Sequence, residues 1–198
     1  MNILFLWGNP IAKNLEEWLA NQDNNVISWQ VPVSLEIVRE FKIQLIVSYT
    51  YRFIIGKDII DAVNGNAVNL HISYLPWNRG ADPNQWSWID GTPKGVTIHF
   101  INEKIDGGDI IAQKLVSMDK NISLRQSYDL LNHEIVMLFK KIYVLYPFWN
   151  EMRKRVLGTG SYHSSADFEA YRKIIGDDYD ISVETFCERV RKYNEYCD

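Results

Sequence analysis

The sequence has little of what marks disulfide-rich, metal-stabilised or membrane-spanning proteins. It has two cysteines, Cys187 and Cys197, late in the chain and without metal-ligand spacing, which argues against a disulfide or a metal site. No apolar run reaches the ~18 residues that a membrane helix requires. The N-terminus lacks the charged region and cleavage site of a signal peptide, so we expect a cytoplasmic protein.

An excess of basic residues is also missing. Lys and Arg number 21 against 25 Asp and Glu, which gives a formal net charge of −4 and a pI near 5.6. Proteins whose main partner is a nucleic acid usually carry clustered Lys and Arg. The short run at 153–155 is interpreted as a solvated helix end. We therefore predict no nucleic-acid partner.

The apolar pattern of the first half predicts an α/β protein. Apolar strands at Asn2–Trp7, Val26–Val31 and Leu45–Tyr49 alternate with segments of helical spacing. This order favours a Rossmann-like, mostly parallel sheet with helices on both faces. The turn at Gly8–Pro10 leads into a helix and lacks the full glycine pattern of dinucleotide sites. An anion site and a plain connection both stay open there.

Polar side chains follow at the ends of two later strands. In the strand Val68–Ile72, Asn69 and His71 are two residues apart and face the same side. A second strand, Val96–Ile101, leads into a loop that carries Asp106 before two glycines. Ligands of open α/β sheets bind at the carboxyl ends of strands. We therefore expect an amide, an imidazole and a carboxylate to meet there.

Four segments resemble a known family in order and spacing: Asn-Leu-His-Ile-Ser-Tyr-Leu-Pro (69–76), Arg-Gly-Ala-Asp-Pro (79–83), Lys-Gly-Val-Thr-Ile-His (94–99) and Asp-Gly-Gly-Asp-Ile-Ile (106–111). The family is that of the 10-formyltetrahydrofolate-dependent formyltransferases, which act on glycinamide ribonucleotide, methionyl-tRNA or amino sugars. The likeness covers roughly residues 1 to 145. It implies the formyltransferase fold, with a cis peptide bond between Leu75 and Pro76.

Formyl transfer to an amine needs an oxyanion donor, a proton acceptor and a group that positions the acceptor. The resemblance assigns the first role to Asn69. His71 would accept the amine proton or help to stabilise the oxyanion. Asp106 would orient His71 and favour its charged form, or accept the proton through water. His99, in the middle of a strand, is expected to be packed in the core.

The resemblance also implies 10-formyltetrahydrofolate as co-substrate and no metal. Its pterin ring would be held largely by backbone groups of two segments. The candidate folate-binding residues are Arg52, Phe53, Ile54, Asn102, Glu103, Lys104 and Ile105.

The tail sets expectations for domain organisation. We expect a catalytic domain at 1–150 and, at 151–198, a short helical extension packed on it rather than a separate domain, with a hairpin near Gly158–His163. About 40 residues after Gly158 are too few for the extra domain of methionyl-tRNA formyltransferases. The chain thus most resembles short formyltransferases that modify nucleotide-linked amino sugars for surface polysaccharides or nonulosonic acids.

The expected acceptor is a nucleotide-linked amino-dideoxy sugar, with uridine slightly favoured over thymidine. The alternatives are a carrier-bound aminoacyl group of nonribosomal peptide synthesis and a folate-binding protein without catalysis. An apolar edge around 139–149 predicts either a homodimer surface or a buried core. The candidate acceptor contacts are Trp77, Asn78, Arg79, Asn9, Lys13, Tyr162 and His163.

Overall fold

A computed structural model describes residues 1–175 and 178–197, without the side chains at positions 174, 175, 196 and 197. Eight strands, seven α-helices and two short 3₁₀ helices occur in the described residues. The strands are β1 (Asn2–Trp7), β2 (Asn25–Trp29), β3 (Leu45–Tyr49), β4 (Ala67–His71), β5 (Arg79–Gly80), β6 (Gly95–Phe100), β7 (Ile110–Leu115) and β8 (Tyr162–His163). The helices are α1 (Lys13–Ala20), α2 (Leu35–Glu40), α3 (Lys57–Ala62), α4 (Pro83–Ile89), α5 (Leu124–Tyr143), α6 (Glu169–Ile175) and α7 (Val183–Cys197).

Six strands form one sheet in the order β2-β1-β3-β4-β6-β7. β1 is parallel to both β2 and β3, and β3 is parallel to β4. β6 and β7 are antiparallel, because the N–H of Phe100 donates to Asp109 and the N–H of Val116 donates to Lys94. The prediction of a mostly parallel α/β sheet is confirmed.

The two remaining strands form a separate parallel pair. In this pair Arg79 of β5 lies opposite Tyr162 of β8, and Gly80 lies opposite His163. The expected hairpin near Gly158–His163 is therefore wrong. The segment finds its hydrogen-bond partner about eighty positions earlier in the chain, and not in an adjacent segment.

The contacts within the chain divide it into two compact units. The first comprises Met1–His71, Ile98–Ala112 and Phe139–Val156. The second comprises Ile72–Thr97, Gln113–Leu138 and the chain from Leu157 onward. The expected division near residue 150 into a catalytic domain and an extension stays a prediction.

The core of the first unit lies on the central strands. All five residues of β3 are buried, as are five of the six in β1. Strands buried on both faces need continuous apolar sequence, which explains why these two were readable from the sequence. Phe139 is fully buried and makes an edge contact with Trp18, and Trp149 is 2% exposed. These two members of the apolar 139–149 segment therefore belong to the core.

The second unit has its own core around two tryptophans of α4. Trp86 and Trp88 pack in one cluster with Leu124, Phe168 and Phe186. α5 begins with the expected capping box: Ser123 Oγ accepts from the N–H of Gln126, and Gln126 Oε1 accepts from the N–H of Ser123. None of the helices in the described residues has the length and apolarity to cross a membrane.

Phe139→Ala tests the assignment of this side chain to the core. Deleting a fully buried phenylalanine removes its packing and leaves a cavity, so we expect a loss of about 3–5 kcal/mol in the free energy of unfolding. Met137→Ala, on the same helix at a half-exposed position, is the matched control and should change stability by less than about 1 kcal/mol. Urea denaturation measures both, and equal losses would contradict the assignment.

Candidate active site

β4 places Asn69 and His71 on one side of the sheet. Val68 and Leu70, which alternate with them, are buried apolar residues facing the other side. His71 ends the strand and is 6% exposed. An amide and an imidazole thus stand together at the carboxyl end of a parallel strand, as the spacing of two predicted.

The loop after β6 carries Asp106 back towards the sheet. Its turn is held by the Asn102 side chain, which accepts from the N–H of Lys104 at 2.9 Å and donates to the carbonyl of Gly107 at 3.2 Å. Asp106 has a positive φ of 47°. A Cβ on Gly108 would lie 1.7 Å from the carbonyl oxygen of Phe100, so the close return of the chain requires glycine here.

The Asp106 carboxylate has nitrogen groups of three residues around it. Asn69 Nδ2 donates to Oδ1 at 3.1 Å, and His99 Nε2 lies 3.3 Å from the same oxygen. Oδ2 lies 3.6 Å from His71 Nδ1. The side chain of Asp106 is 10% exposed. The structure therefore brings together the three residues that the sequence singled out, and adds a fourth.

His99 is the residue that the sequence argument placed in the core and gave no contact with the site. It is indeed 2% exposed, but its ring reaches the carboxylate instead of packing only against apolar groups. Its Nδ1 lies 2.8 Å from the carbonyl oxygen of Phe100. One signal could have found it: His99 lies near the carboxyl end of β6, the strand that leads to Asp106.

The candidate folate-binding residues lie in two irregular segments of the first unit. Arg52, Phe53 and Ile54 follow β3, and Asn102 to Ile105 form the turn before Asp106. Phe53, Ile54 and Ile105 remain 36%, 83% and 47% exposed. Exposed apolar side chains on loops suit a flat ring system such as a pterin.

Asn9 and Lys13 follow the carboxyl end of β1. The backbone N–H groups of Gly8 and Asn9 donate to Thr50 Oγ1 at 3.2 and 3.1 Å, and Asn9 Oδ1 accepts from the N–H of Ile11. These bonds account for the turn as a plain connection. Lys13 is exposed, with Nζ 6.0 Å from the centroid of the Trp7 ring.

The other acceptor candidates belong to the second unit, and two of them are tied into its structure. Asn78 is fully buried, donates to Thr92 Oγ1 at 2.8 Å and accepts from Ser161 Oγ at 3.1 Å. His163 stacks on Trp86 with ring centroids 3.8 Å apart, and its Nε2 lies 2.8 Å from Asp90 Oδ2.

Three more candidates remain at the surface of that unit. Arg79 donates from Nη2 to the carbonyl of Thr159 at 3.2 Å. Trp77 and Tyr162 are 37% and 49% exposed. A planar cation and two exposed aromatic rings are suited to binding a phosphorylated sugar.

Comparison with known proteins identifies the family. The model of the formyl transferase family matches residues 31–140. The chain belongs to this family. The formyltransferase PseJ from Anoxybacillus kamchatkensis is 36% identical, with a TM-score of 0.84, over 94% of this chain and 97% of PseJ. That enzyme was solved with UDP-4,6-dideoxy-4-formamido-L-AltNAc and tetrahydrofolate. The predicted family and fold are confirmed.

Two further relatives are similar over smaller parts of their own length or at lower identity. Rv3404c from Mycobacterium tuberculosis, a likely sugar N-formyltransferase, is 28% identical, with a TM-score of 0.75, over 86% of this chain and 78% of its own. A methionyl-tRNA formyltransferase from Syntrophomonas wolfei is 37% identical over 95 residues, which are 48% of this chain. That match spans 30% of the tRNA enzyme.

Gly160→Ala tests how the segment 158–163, which we call the tail segment, holds the loop at 76–81. Gly160 has a φ of 58°, and an added Cβ would lie 1.9 Å from the carbonyl oxygen of Pro76. We expect the amide hydrogens of Arg79 and Ala81, which donate to Ser161 and His163, to lose protection from exchange.

Gly91→Ala is the matched control for this substitution. Gly91 lies in the same unit with a similar φ of 64°, and no atom lies within 4 Å of the added Cβ. It imposes comparable backbone strain without the contact, so Arg79 and Ala81 should keep their protection. Hydrogen exchange followed by mass spectrometry compares the two variants. Unchanged protection in Gly160→Ala would show that the tail segment does not hold the loop.

Proposed function

We propose that the protein is an N-formyltransferase that moves the formyl group of 10-formyltetrahydrofolate to the amine of a nucleotide-linked amino-dideoxy sugar. The observation that carries this proposal is the partly buried cluster of Asn69, His71 and Asp106 in a member of the formyl transferase family. The choice of a sugar acceptor is supported by the similarity to PseJ, which extends over nearly the whole of both chains.

The transfer forms one bond, breaks one bond and moves one proton. The amine nitrogen forms a bond to the formyl carbon, and the bond from that carbon to the folate nitrogen breaks. The proton that the amine loses ends on the folate nitrogen, so the protein has to accept it and return it. During the attack the formyl oxygen gains negative charge, which needs a hydrogen-bond donor.

Asn69 is the proposed donor to that oxygen. One hydrogen of its Nδ2 is directed to Asp106, which fixes the amide with the nitrogen and not the oxygen facing the carboxylate. The second hydrogen of the same nitrogen then points away from Asp106, where it can meet the formyl oxygen. An oxyanion donor of this kind is typically worth about 2.7–4 kcal/mol in the barrier.

His71 is the proposed carrier of the proton, and Asp106 is the group that orients it. Asp106 Oδ2 lies 3.6 Å from Nδ1 of the ring, which favours one orientation of the imidazole. The carboxylate also stabilises the imidazolium that forms once the amine proton has been taken up. General base catalysis of this kind contributes about 10²–10⁴-fold to the rate.

The folate is proposed to lie against the two exposed segments of the first unit. 10-Formyltetrahydrofolate supplies the formyl group in an activated amide. Phe53, Ile54 and Ile105 would cover the faces of the pterin, which accounts for their exposure. Arg52 and the residues Asn102 to Lys104 would contribute mainly backbone groups to its polar edge, as the sequence analysis expected.

The acceptor is proposed to contact Trp77, Arg79 and Tyr162 in the second unit. Lys13, in the first unit, stays a candidate of the sequence analysis. A guanidinium has five N–H donors, more than its bonds to the tail segment use. We infer that Asn78 and His163 support the loop and do not touch substrate, because their polar groups are bonded within the protein. Asn9 is assigned a capping role for the same reason.

One observation favours a second acceptor. The match to methionyl-tRNA formyltransferase has an identity similar to that of PseJ, although over less of the chain. An acidic protein with a net charge of −4 is poorly suited to a tRNA, whose binding depends on many Lys and Arg contacts to phosphate. Carrier-bound amino acids stay a further alternative. A cytoplasmic location and a homodimer also stay predictions.

Purified protein should release tetrahydrofolate from 10-formyltetrahydrofolate when a nucleotide-linked 4-amino-4,6-dideoxy sugar is present. We expect UDP and dTDP forms to be used, the UDP form somewhat better, and no release without an acceptor. Absorbance follows the product in parallel reactions with methionyl-tRNA and with a carrier-bound amino acid. Turnover with either of these, and none with any amino sugar, would contradict the proposed acceptor.

His71→Ala and Asp106→Ala test the proposed roles in the same assay. Each should lower kcat by at least about 100-fold, because the proton carrier or its orienting group is lost. Binding of tetrahydrofolate, measured by calorimetry, should survive in both. His133→Ala, an exposed histidine on α5, is the control and should leave kcat unchanged. Near-normal turnover in either His71→Ala or Asp106→Ala would contradict the proposed mechanism.

A further inference from the structure

The geometry of the contact between His99 and Asp106 favours a shared proton. A backbone carbonyl only accepts, so the 2.8 Å contact of His99 Nδ1 with Phe100 places a hydrogen on Nδ1. Nε2 of the same ring lies 3.3 Å from Asp106 Oδ1. With a neutral ring and an ionised carboxylate, two lone pairs would face each other across this distance. A proton held by Nε2 or by the carboxyl group turns the contact into a hydrogen bond.

A hydrogen bond from Asn69 does not remove the repulsion between His99 Nε2 and Asp106 Oδ1. Its Nδ2 lies 3.1 Å from Asp106 Oδ1 and 3.4 Å from His99 Nε2, so the three atoms form a nearly equilateral triangle. The two hydrogens of an amide nitrogen diverge by about 120°, and one of them at most points towards this pair. A single N–H shared by both atoms offsets only part of their repulsion, whereas a proton on the line between them removes it.

We propose that His99 is a positioning residue whose proton offsets the charge of Asp106 and keeps His71 neutral until the amine proton arrives. This inference rests on the proposed function, in which His71 accepts that proton. An ionised carboxylate at 3.6 Å favours the charged imidazole, which cannot accept a further proton. A His99–Asp106 pair with one shared proton has no net charge, so His71 is not forced into that form.

Among the residues that the structure describes, the titratable groups next to the His99 ring are Asp106 and His71, with the two imidazole centroids 6.4 Å apart. Arg153 lies 3.7 Å above the neighbouring Phe100 ring, and its Nη1 is 3.9 Å from Asp109. That arginine therefore has a carboxylate of its own beside it.

Under this proposal the cluster carries a positive charge only during the transfer. Before transfer, His99 and Asp106 share a proton and His71 carries no charge. When the amine nitrogen bonds to the formyl carbon, its proton moves to His71 and the cluster gains one positive charge, which Asp106 then stabilises. Return of the proton to the folate nitrogen restores the starting state, so the shared proton itself is not consumed.

His99→Gln tests the proposal through the behaviour of His71. Glutamine keeps a polar side chain and cannot carry a charge, so Asp106 loses the proton that it shares with His99 and becomes a full anion beside His71. We expect the midpoint of the His71 titration, followed by NMR of the ring, to rise by about one pH unit. Asp106→Asn should move it in the opposite direction. Ile98→Val, the preceding buried residue of β6, is the control and should leave it in place.

The pH dependence of kcat distinguishes a change in the charge of His71 from a loss of local structure. A midpoint about one pH unit above the ordinary imidazole value of about 6.5 lowers the neutral fraction of His71 at pH 7 about threefold. The kcat of His99→Gln should therefore fall about threefold there and recover as the pH is raised. KM for both substrates should stay within the range of the control. A loss of kcat that persists at high pH, or a midpoint that stays or falls, would overturn the proposal.

Two further measurements keep the test decisive. If His99→Gln does not fold, the ring nitrogen shifts of the wild-type protein decide, because the proposal requires a protonated Nδ1 on His99 and a proton shared by Nε2. A His99 ring without a hydrogen on Nδ1 would overturn it. Failure of the wild-type enzyme to formylate any amino sugar would instead contradict the proposed function. The midpoints of the His71 titration in the wild type and in His99→Gln would still decide the role of His99.

Discussion

A carboxylate that is nine-tenths buried has to be hydrogen-bonded, and this constraint organises the site. Asn69 donates to Asp106, and the ring nitrogens of His99 and His71 lie 3.3 and 3.6 Å from its oxygens; all three residues come from two adjacent strands of one sheet. Moving any of these elements would leave a buried charge without its partners. The turn after β6 returns the carboxylate to those strands. It contains Asp106 in a left-handed conformation and the tightly packed Gly108.

Much of the fold could be predicted because its signals are local. β1 and β3 were located to the residue, since strands buried on both faces consist of uninterrupted apolar residues bounded by turns. The pairing of Asn69 with His71 follows from the two-residue period of a strand. The cis bond between Leu75 and Pro76 agrees with the resemblance to the family.

The rest depends on contacts between distant parts of the chain, which a sequence does not display. Nothing in two residues at 79–80 indicates that they pair with 162–163. Asn78 resembled a substrate contact because it stands in a polar loop, yet its side chain is buried against Thr92 and Ser161. His99 was missed because a histidine inside an apolar strand has the same appearance whether or not a carboxylate reaches it.

The central claim is that this cluster transfers a formyl group to a sugar amine. Carbon-13 labelling of the formyl group tests it most directly, because the label is followed from the folate to its destination by NMR. The account predicts a new formamide signal on the sugar, in one-to-one proportion with released tetrahydrofolate, at the amine of the nucleotide-linked sugar. Label that remains on the folate, or that is released as free formate while the sugar is unchanged, would contradict it.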